Sequence, residues 1–326
     1  MAAMLSPGGG RGRLGVLIYH RVLEEADPLD PDIPDAATFD WQMGLLAEEF
    51  RPLPLAEGVA GLARGTLPPR AVAVTFDDGY ADNYTVALPI LRRWGVPATF
   101  FIATGYLGGG RMWNDIITET VRRWPEGEMD LRHMGLGRWP LDGEEARREA
   151  RMGLIQELRY RPLEERERVV EGLGAELGGP PSPRLMLDPG EVRALAGAGM
   201  EIGAHTRSHP ILSTLDPDRA RAEVAESKAH LEEITGGACR FFAYPNGRPG
   251  EDYGPEHVDL VRAAGFQAAV STAWGAAGRE TSRFQIPRFT PWNGTPRGFY
   301  LGLLRNLLRG RGPRAGDTRE TLAEHA

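Results

Sequence analysis

Val72-Ala73-Val74-Thr75-Phe76-Asp77-Asp78-Gly79-Tyr80 is the stretch that decides how this chain folds: a short apolar run, two adjacent carboxylates, then a glycine. The run is rich in residues that suit a buried, pleated surface, and it is too short for a helix, so it predicts a strand. Its chemistry lies at the carboxyl end, where barrel enzymes place catalytic groups. Neighbouring carboxylates repel each other, and a cation or a shared proton relieves the cost. Asp and Gly also suit a plain turn through local backbone hydrogen bonds, so this motif alone leaves both readings open.

Two further stretches have the same form. Gly203-Ala204-His205-Thr206-Arg207-Ser208-His209-Pro210 follows another short strand pattern and places two of the seven histidines four residues apart. A single helical turn would bring both imidazoles to one side. Two imidazoles and a carboxylate are ordinary zinc ligands, and three protein ligands leave a position open for water. Arg240-Phe241-Phe242-Ala243-Tyr244-Pro245-Asn246-Gly247 is an apolar strand that breaks into a glycine turn able to present backbone N–H groups.

Working outward, short apolar runs alternate with helical patterns from Leu14 onward, which predicts β-then-α units around a mainly parallel sheet or barrel. Strands are expected at 15–19, 72–76, 98–102, 201–204, 240–244 and 267–271. Asp188-Pro189 and Asp216-Pro217 open helices that end before Gly199 and at Gly236. Phe39, Met43, Leu46 and Phe50 recur at helical spacing as a core-facing stripe. The rhythm breaks between about 108 and 187, where Gly108-Gly109-Gly110 leads into charged helical sequence and Gly178-Gly179-Pro180-Pro181-Ser182-Pro183 leads out. From 144 to 171, 15 of 28 positions are charged with interleaved signs, the pattern of solvated helix faces in a lid or flank.

Composition bounds the function. Hydrophobic residues at 41% and charged residues at 25% describe an ordinary folded protein. A net charge of −7 supplies no basic footprint, so nucleic acid is excluded as an expected partner. With Cys239 as the single cysteine, neither an intrachain disulfide nor a cysteine-based zinc site can form. The Gly-rich start carries no apolar run of the length a secretory signal needs, which leads to the expectation of a cytoplasmic protein. A C-terminal segment, Phe299-Tyr300-Leu301-Gly302-Leu303-Leu304-Arg305-Asn306-Leu307-Leu308-Arg309, could touch a membrane surface as a basic amphipathic helix or close the barrel with the same apolar face. A polar tail with Arg311 and Arg314 follows it.

Taken together, Thr75-Phe76-Asp77-Asp78-Gly79, His205-Thr206-Arg207-Ser208-His209 and Phe242-Ala243-Tyr244-Pro245-Asn246-Gly247 resemble, in order and setting, the polysaccharide deacetylase superfamily with its NodB homology domain. Tyr19-His20-Arg21-Val22 resembles the branch with a Tyr-His motif on the first strand. The resemblance implies an α/β fold, a distorted (β/α) barrel with a helical insertion: one catalytic domain over 14–298, the insertion at about 108–187, and a C-terminal helix and polar tail over 299–326. It further implies Asp77 as general base, with Asp78, His205 and His209 holding a divalent metal, usually Zn2+. The Tyr244 backbone N–H would stabilise the oxyanion, beside Pro245 and Asn246, and Tyr80, Trp113 and Trp292 are candidates to stack on a sugar.

The chain departs from the family pattern in two places. No Leu-x-His motif follows Pro245, His257 sits in a helical pattern and His325 in the tail, so His20 is the candidate general acid. Ala243 stands where many members carry the arginine that orients the base, and Arg288 in Ile286-Pro287-Arg288-Phe289 is the candidate replacement. The expected function is deacetylation of an N-acetylhexosamine in a glycan or in its nucleotide- or lipid-linked precursor. The alternatives are a cytoplasmic metal-dependent amidase acting on a small non-sugar amide and an inactive carbohydrate-binding relative. No feature of the sequence indicates an oligomeric state.

Overall fold

A computed structural model describes residues 2–176, 184–309 and 314–316 of the chain. The Gly/Pro run at the end of the insertion, most of the polar tail and His325 lie outside the described residues. Among those described, nine strands form: β1 Gly15–Tyr19, β2 Arg51–Pro52, β3 Ala71–Phe76, β4 Ala98–Ile102, β5 Glu128–Asp130, β6 Arg138–Pro140, β7 Glu201–Ala204, β8 Phe241–Ala243 and β9 Ala268–Val270. Seven make one curled parallel sheet in the order β1-β3-β4-β7-β8-β9, with β2 alongside β3. This is the expected barrel of strands and helices. β2, β5 and β6 were not foreseen, because two or three residues are too few to show an alternating pattern.

The segment 286–289 spans the gap between β9 and β1. Ile286 N–H donates to the Ala269 carbonyl and Ser271 N–H to that of Ile286, while Phe289 N–H donates to the Val16 carbonyl at 2.7 Å and Ile18 N–H to that of Phe289 at 3.0 Å. Backbone pairing thus draws the curl shut and carries Arg288 inward.

Alternate strand residues face opposite sides of the sheet. Val72, Val74, Phe76, Phe100 and Ile102 pack outward against helices such as Ala36–Glu49, whose Phe39, Met43 and Leu46 form the expected stripe. Phe76 stacks on Phe100 with centroids 4.8 Å apart, and truncating a buried aromatic of this kind costs about 3–5 kcal/mol. Ala71, Ala73, Phe101, Ala243, Ala268 and Val270 fill the other, concave face. Small side chains suit its tight curvature.

The segment between β4 and β7 builds a satellite of its own. Helices Trp113–Arg123, Gly143–Arg159 and Leu163–Glu176, with the antiparallel β5-β6 pair, enclose a separate core that includes Ile117, Leu154 and Leu173. It returns to the sheet through Met186, which bridges Tyr80, and Leu187, whose N–H donates to the Gly79 carbonyl. At the far end, helix Pro296–Arg309 buries Phe299, Leu303, Leu304 and Leu307 against the main core. No helix among the described residues is long and apolar enough to cross a membrane.

Candidate active site

β3 delivers the paired carboxylates. Asp77 continues the strand, its N–H donating to the Tyr19 carbonyl at 2.9 Å, and the chain then turns through left-handed Asp78 (φ 75) and Gly79 (φ 87). A Cβ on Gly79 would meet the Ile102 side chain at 2.9 Å, so glycine serves both the positive φ and the close approach. The turn overrides strand alternation and brings both carboxylates to one place: His205 Nε2 lies 3.5 Å from Asp78 Oδ1 and 3.9 Å from Asp77 Oδ2.

The histidines come together differently from the expected helical turn. Residues 205–209 form an irregular loop after β7, with Thr206 at φ 63 and His209 at φ 54. Of the five non-glycine residues with positive φ among the described residues, four, namely Asp78, Thr206, His209 and Asn246, sit at this site, the strain distribution typical of functional loops. Glu223, on helix Pro217–Thr235, holds the loop by accepting hydrogen bonds from Arg207 N and Ser208 N, both at 2.8 Å, and from Ser208 Oγ at 2.6 Å. His205 Nδ1 lies 2.7 Å from the Ala243 carbonyl, which can only accept, so Nδ1 carries a hydrogen and Nε2 is the atom that faces the carboxylates and could coordinate once unprotonated.

Asp78, His205 and His209 offer three ligand atoms within 4.8 Å of one another, a grouping that can hold a metal ion. His209 Nε2 lies 3.4 Å from Asp78 Oδ1. Ligands about 2.0–2.1 Å from a tetrahedral ion are about 3.3–3.4 Å apart, so the spacing suits a cation at their centre. Asp78 Oδ1 is buried without a hydrogen-bond partner, which is costly unless a cation takes its lone pairs. Burial opposes charge on Asp78, but His205, His209 and His20 overcome it and hold its carboxyl well below the usual range. Burial pushes His209 down to about 3, leaving a neutral imidazole ready to coordinate.

Arg288 is fully buried and forks onto the second carboxylate: Nη1 donates to Asp77 Oδ1 and Nη2 to Asp77 Oδ2, both at 2.7 Å. Its Nε donates to the Ser271 carbonyl at 2.9 Å and Nη1 also to Thr75 Oγ1 at 3.1 Å, which fixes the fork. Burial again opposes ionisation of Asp77, and Arg288, with His205 and His20, outweighs it and lowers the pKa. A guanidinium from a segment remote in sequence thus occupies the neighbourhood that Ala243 leaves without one.

These groups open into a cavity of about 1060 Å3 lined also by His20, Trp113, Asn246, Trp274 and Trp292. His20 is exposed on that lining, and Trp292 is 58% exposed at its edge. Three expectations require correction. The Tyr244 N–H donates to the Val270 carbonyl, its hydroxyl to that of Phe284, and its ring stacks on Tyr253 at 3.8 Å, so this residue serves the core. Pro245 is likewise absent from the lining, and Asn246 is the residue through which that loop meets the cavity. Tyr80 is buried, its hydroxyl donating to Asp115 Oδ1 at 3.0 Å and its ring lying under Arg21 at 4.8 Å, which leaves no open face for a sugar. Sequence reading also missed Glu223, and it read the charged insertion as a lid or flank without placing it; helix Gly143–Arg159 lines one side of the cavity, and the apolar Met152 and Ile155, spaced along it, were the available signal.

Fold and site define a class: a parallel α/β barrel with two histidines and an aspartate grouped at its strand ends, where they could hold a cation, and a second carboxylate alongside. The polysaccharide deacetylase family model matches residues 64–269, and the chain belongs to that family, whose members are hydrolases acting on amide bonds. The chain is 22% identical to YxkH of Bacillus subtilis (strain 168) over 277 residues, 85% of this chain and 70% of that protein. It is 30% identical over 112 residues to the poly-beta-1,6-N-acetyl-D-glucosamine N-deacetylase of Staphylococcus epidermidis, a match spanning 30% of this chain and 38% of that one. Among solved structures it shares its fold with the Streptococcus pyogenes deacetylase PplD (TM-score 0.61, 20% identity, 89% of this chain and 98% of that one). IcaB from Ammonifex degensii is also similar (TM-score 0.57, 22% identity, 92% and 97%).

Proposed function

We propose that this chain is a metal-dependent deacetylase that hydrolyses the N-acetyl group of an N-acetylhexosamine, in a glycan or in its nucleotide- or lipid-linked precursor. The observation that carries this reading is the convergence of Asp78, His205 and His209, with Asp77 held ionised beside them by Arg288. Asp78, His205 and His209 would hold the cation, and the mixed nitrogen and oxygen donors suit zinc. When bound, such a cation supplies Lewis acidity, polarising an amide carbonyl and acidifying water.

Asp77 accepts the proton from the attacking water. Arg288 keeps Asp77 anionic and oriented so that it serves as a base near neutral pH. The leaving amine needs a proton, because an amide ion is a very poor leaving group, and His20 on the cavity lining is the candidate donor. Asn246, held at positive φ, replaces Tyr244 as the candidate contact for the carbonyl oxygen. Trp274 and Trp292 supply faces on which a sugar ring can stack.

The test is acetate release from a panel of N-acetylated sugars, oligosaccharides and carrier-linked sugars, before and after chelation and zinc re-addition. Asp77→Asn should lower kcat by about 10²–10⁴-fold while zinc content is unchanged. A variant as active as wild type would remove Asp77 from its role, and activity indifferent to chelation would remove the metal.

A further inference from the structure

The helix Gly143–Arg159 and the residue after it turn one face to the cavity: Arg151, Met152, Ile155, Gln156, Arg159 and Tyr160, at helical spacing. Both ends of that face are pinned to the barrel. Arg151 pairs with Asp30, in the segment after β1, at 2.7 Å, and the Tyr160 hydroxyl donates to Asp252 Oδ1, in the segment after β8, at 3.1 Å. The pinned residues are nine apart, about 13 Å of helix, so the element crosses from one rim to the other. An interior stretch of a long polymer needs a groove open at both ends, whereas this arrangement suits a sugar that enters by its end.

Charges on the lining single out one group. Asp77 is held by Arg288, Arg21 pairs with Asp82, and Arg151 pairs with Asp30. Asp78 belongs to the cation site, and Asp32 is exposed. Arg248 has a surface partner, Glu251, at 3.3 Å, a type of pair that contributes little. Arg159 differs: its Nε is buried with no hydrogen-bond partner, and its guanidinium has no carboxylate within ion-pair distance among the described residues. Arg161, next along the chain, is by contrast held by Glu157 and Glu165. Arg159 and Arg248 both line the cavity together with Tyr160.

We infer that Arg159, assisted by Arg248, recognises a phosphoryl group carried by the N-acetylhexosamine, so that the substrate is a phosphate- or diphosphate-linked sugar. This rests on the deacetylase reading above and deepens it. A guanidinium fork matches phosphate oxygens two at a time, and two such groups suit a doubly charged ligand. The cavity, at about 1060 Å3, leaves room for a carrier beside the sugar. Such a carrier can be a nucleoside or a polyprenyl chain, and the phosphoryl chemistry is common to both.

The experiment compares kcat/KM for N-acetylglucosamine with that for its uridine-diphosphate and farnesyl-diphosphate conjugates, in the zinc-loaded chain and in Arg159→Gln and Arg159→Lys. Wild type should prefer at least one diphosphate conjugate, and Arg159→Gln should reduce that preference by about 10–100-fold, with Arg159→Lys intermediate. The conjugate preferred identifies the carrier. Equal losses on charged and neutral sugars, or no change in the ratio, would overturn the assignment. Calorimetric titration with UDP and with farnesyl diphosphate, neither of which has an acetyl group, separates this inference from the deacetylase reading. Binding by wild type that weakens in Arg159→Gln upholds the phosphoryl site even if no acetate is released, and binding of neither probe refutes it.

Discussion

Asp77 and Asp78 are adjacent and chemically identical, and their neighbours divide them. Asp78 faces two imidazoles with an oxygen left unpartnered, whereas both oxygens of Asp77 are filled by one guanidinium. A buried pair of this kind loses far more when one partner is removed than its formation contributes, because an uncompensated charge stays behind. Arg288→Met should therefore lower stability by about 3–5 kcal/mol, read as a fall in the denaturant midpoint. It should also shift activity. Arg288 lowers the Asp77 pKa, so its removal raises it, and the acid limb of the pH–rate profile should move to higher pH. An unmoved limb would mean that Arg288 serves structure alone.

At the scale of the element, the loop 205–209 holds its histidine in a left-handed conformation that isolated chain would seldom adopt. Its stability comes from outside: the Glu223 carboxylate on a helix packed behind it takes two backbone N–H groups and a hydroxyl, while Thr104 N–H, Gly105 N–H and the Tyr106 hydroxyl donate to the carbonyls of Thr206, Arg207 and Ser208. Partners that orient metal ligands typically matter about 10–100-fold in affinity. Glu223→Ala should weaken zinc binding by that order, measured by competition with a chromophoric chelator, while Glu223→Gln, which keeps an acceptor, should recover part of it. Wild-type affinity in Glu223→Ala would show that the loop holds its shape without the carboxylate.

For the whole molecule, a proton and the proposed cation would compete for the same groups. Burial opposes a proton on His205, but Asp77 and Asp78 prevail, and its pKa lies above the usual value for imidazole. Below that raised value the ring is protonated, and the proton must leave before Nε2 can coordinate, so zinc affinity should fall as pH falls, by about tenfold per unit for one proton. Without metal the sign reverses. The raised pKa contributes stability that is fully present below about pH 6.5 and is lost as pH rises through the folded-state value. Thermal melts with EDTA and with zinc, at about pH 6 and about pH 8, should show zinc protecting more at the higher pH. Equal protection at both would contradict competition at His205.

The sequence by itself determined the architecture and pointed to Asp78, His205 and His209 as the residues that could hold a cation. Apolar runs ending in Asp-Asp-Gly, His-xxx-His and Tyr-Pro-Asn-Gly mark strands and their carboxyl ends, because burial on both faces demands such runs and polar chemistry can only begin where they stop. The tertiary structure alone decided which groups meet across the barrel. Arg288 could be named from the sequence only as a candidate, and it is the pairing of 286–289 between β9 and β1 that carries it to Asp77, more than two hundred residues away. The core position of Tyr244, the burial of Tyr80 beside Asp115 and the placing of a charged insertion helix against the cavity are decided in the same way. Periodicity and turn chemistry are local properties, whereas which side chain closes a curled sheet depends on the register and packing of segments far apart in the chain.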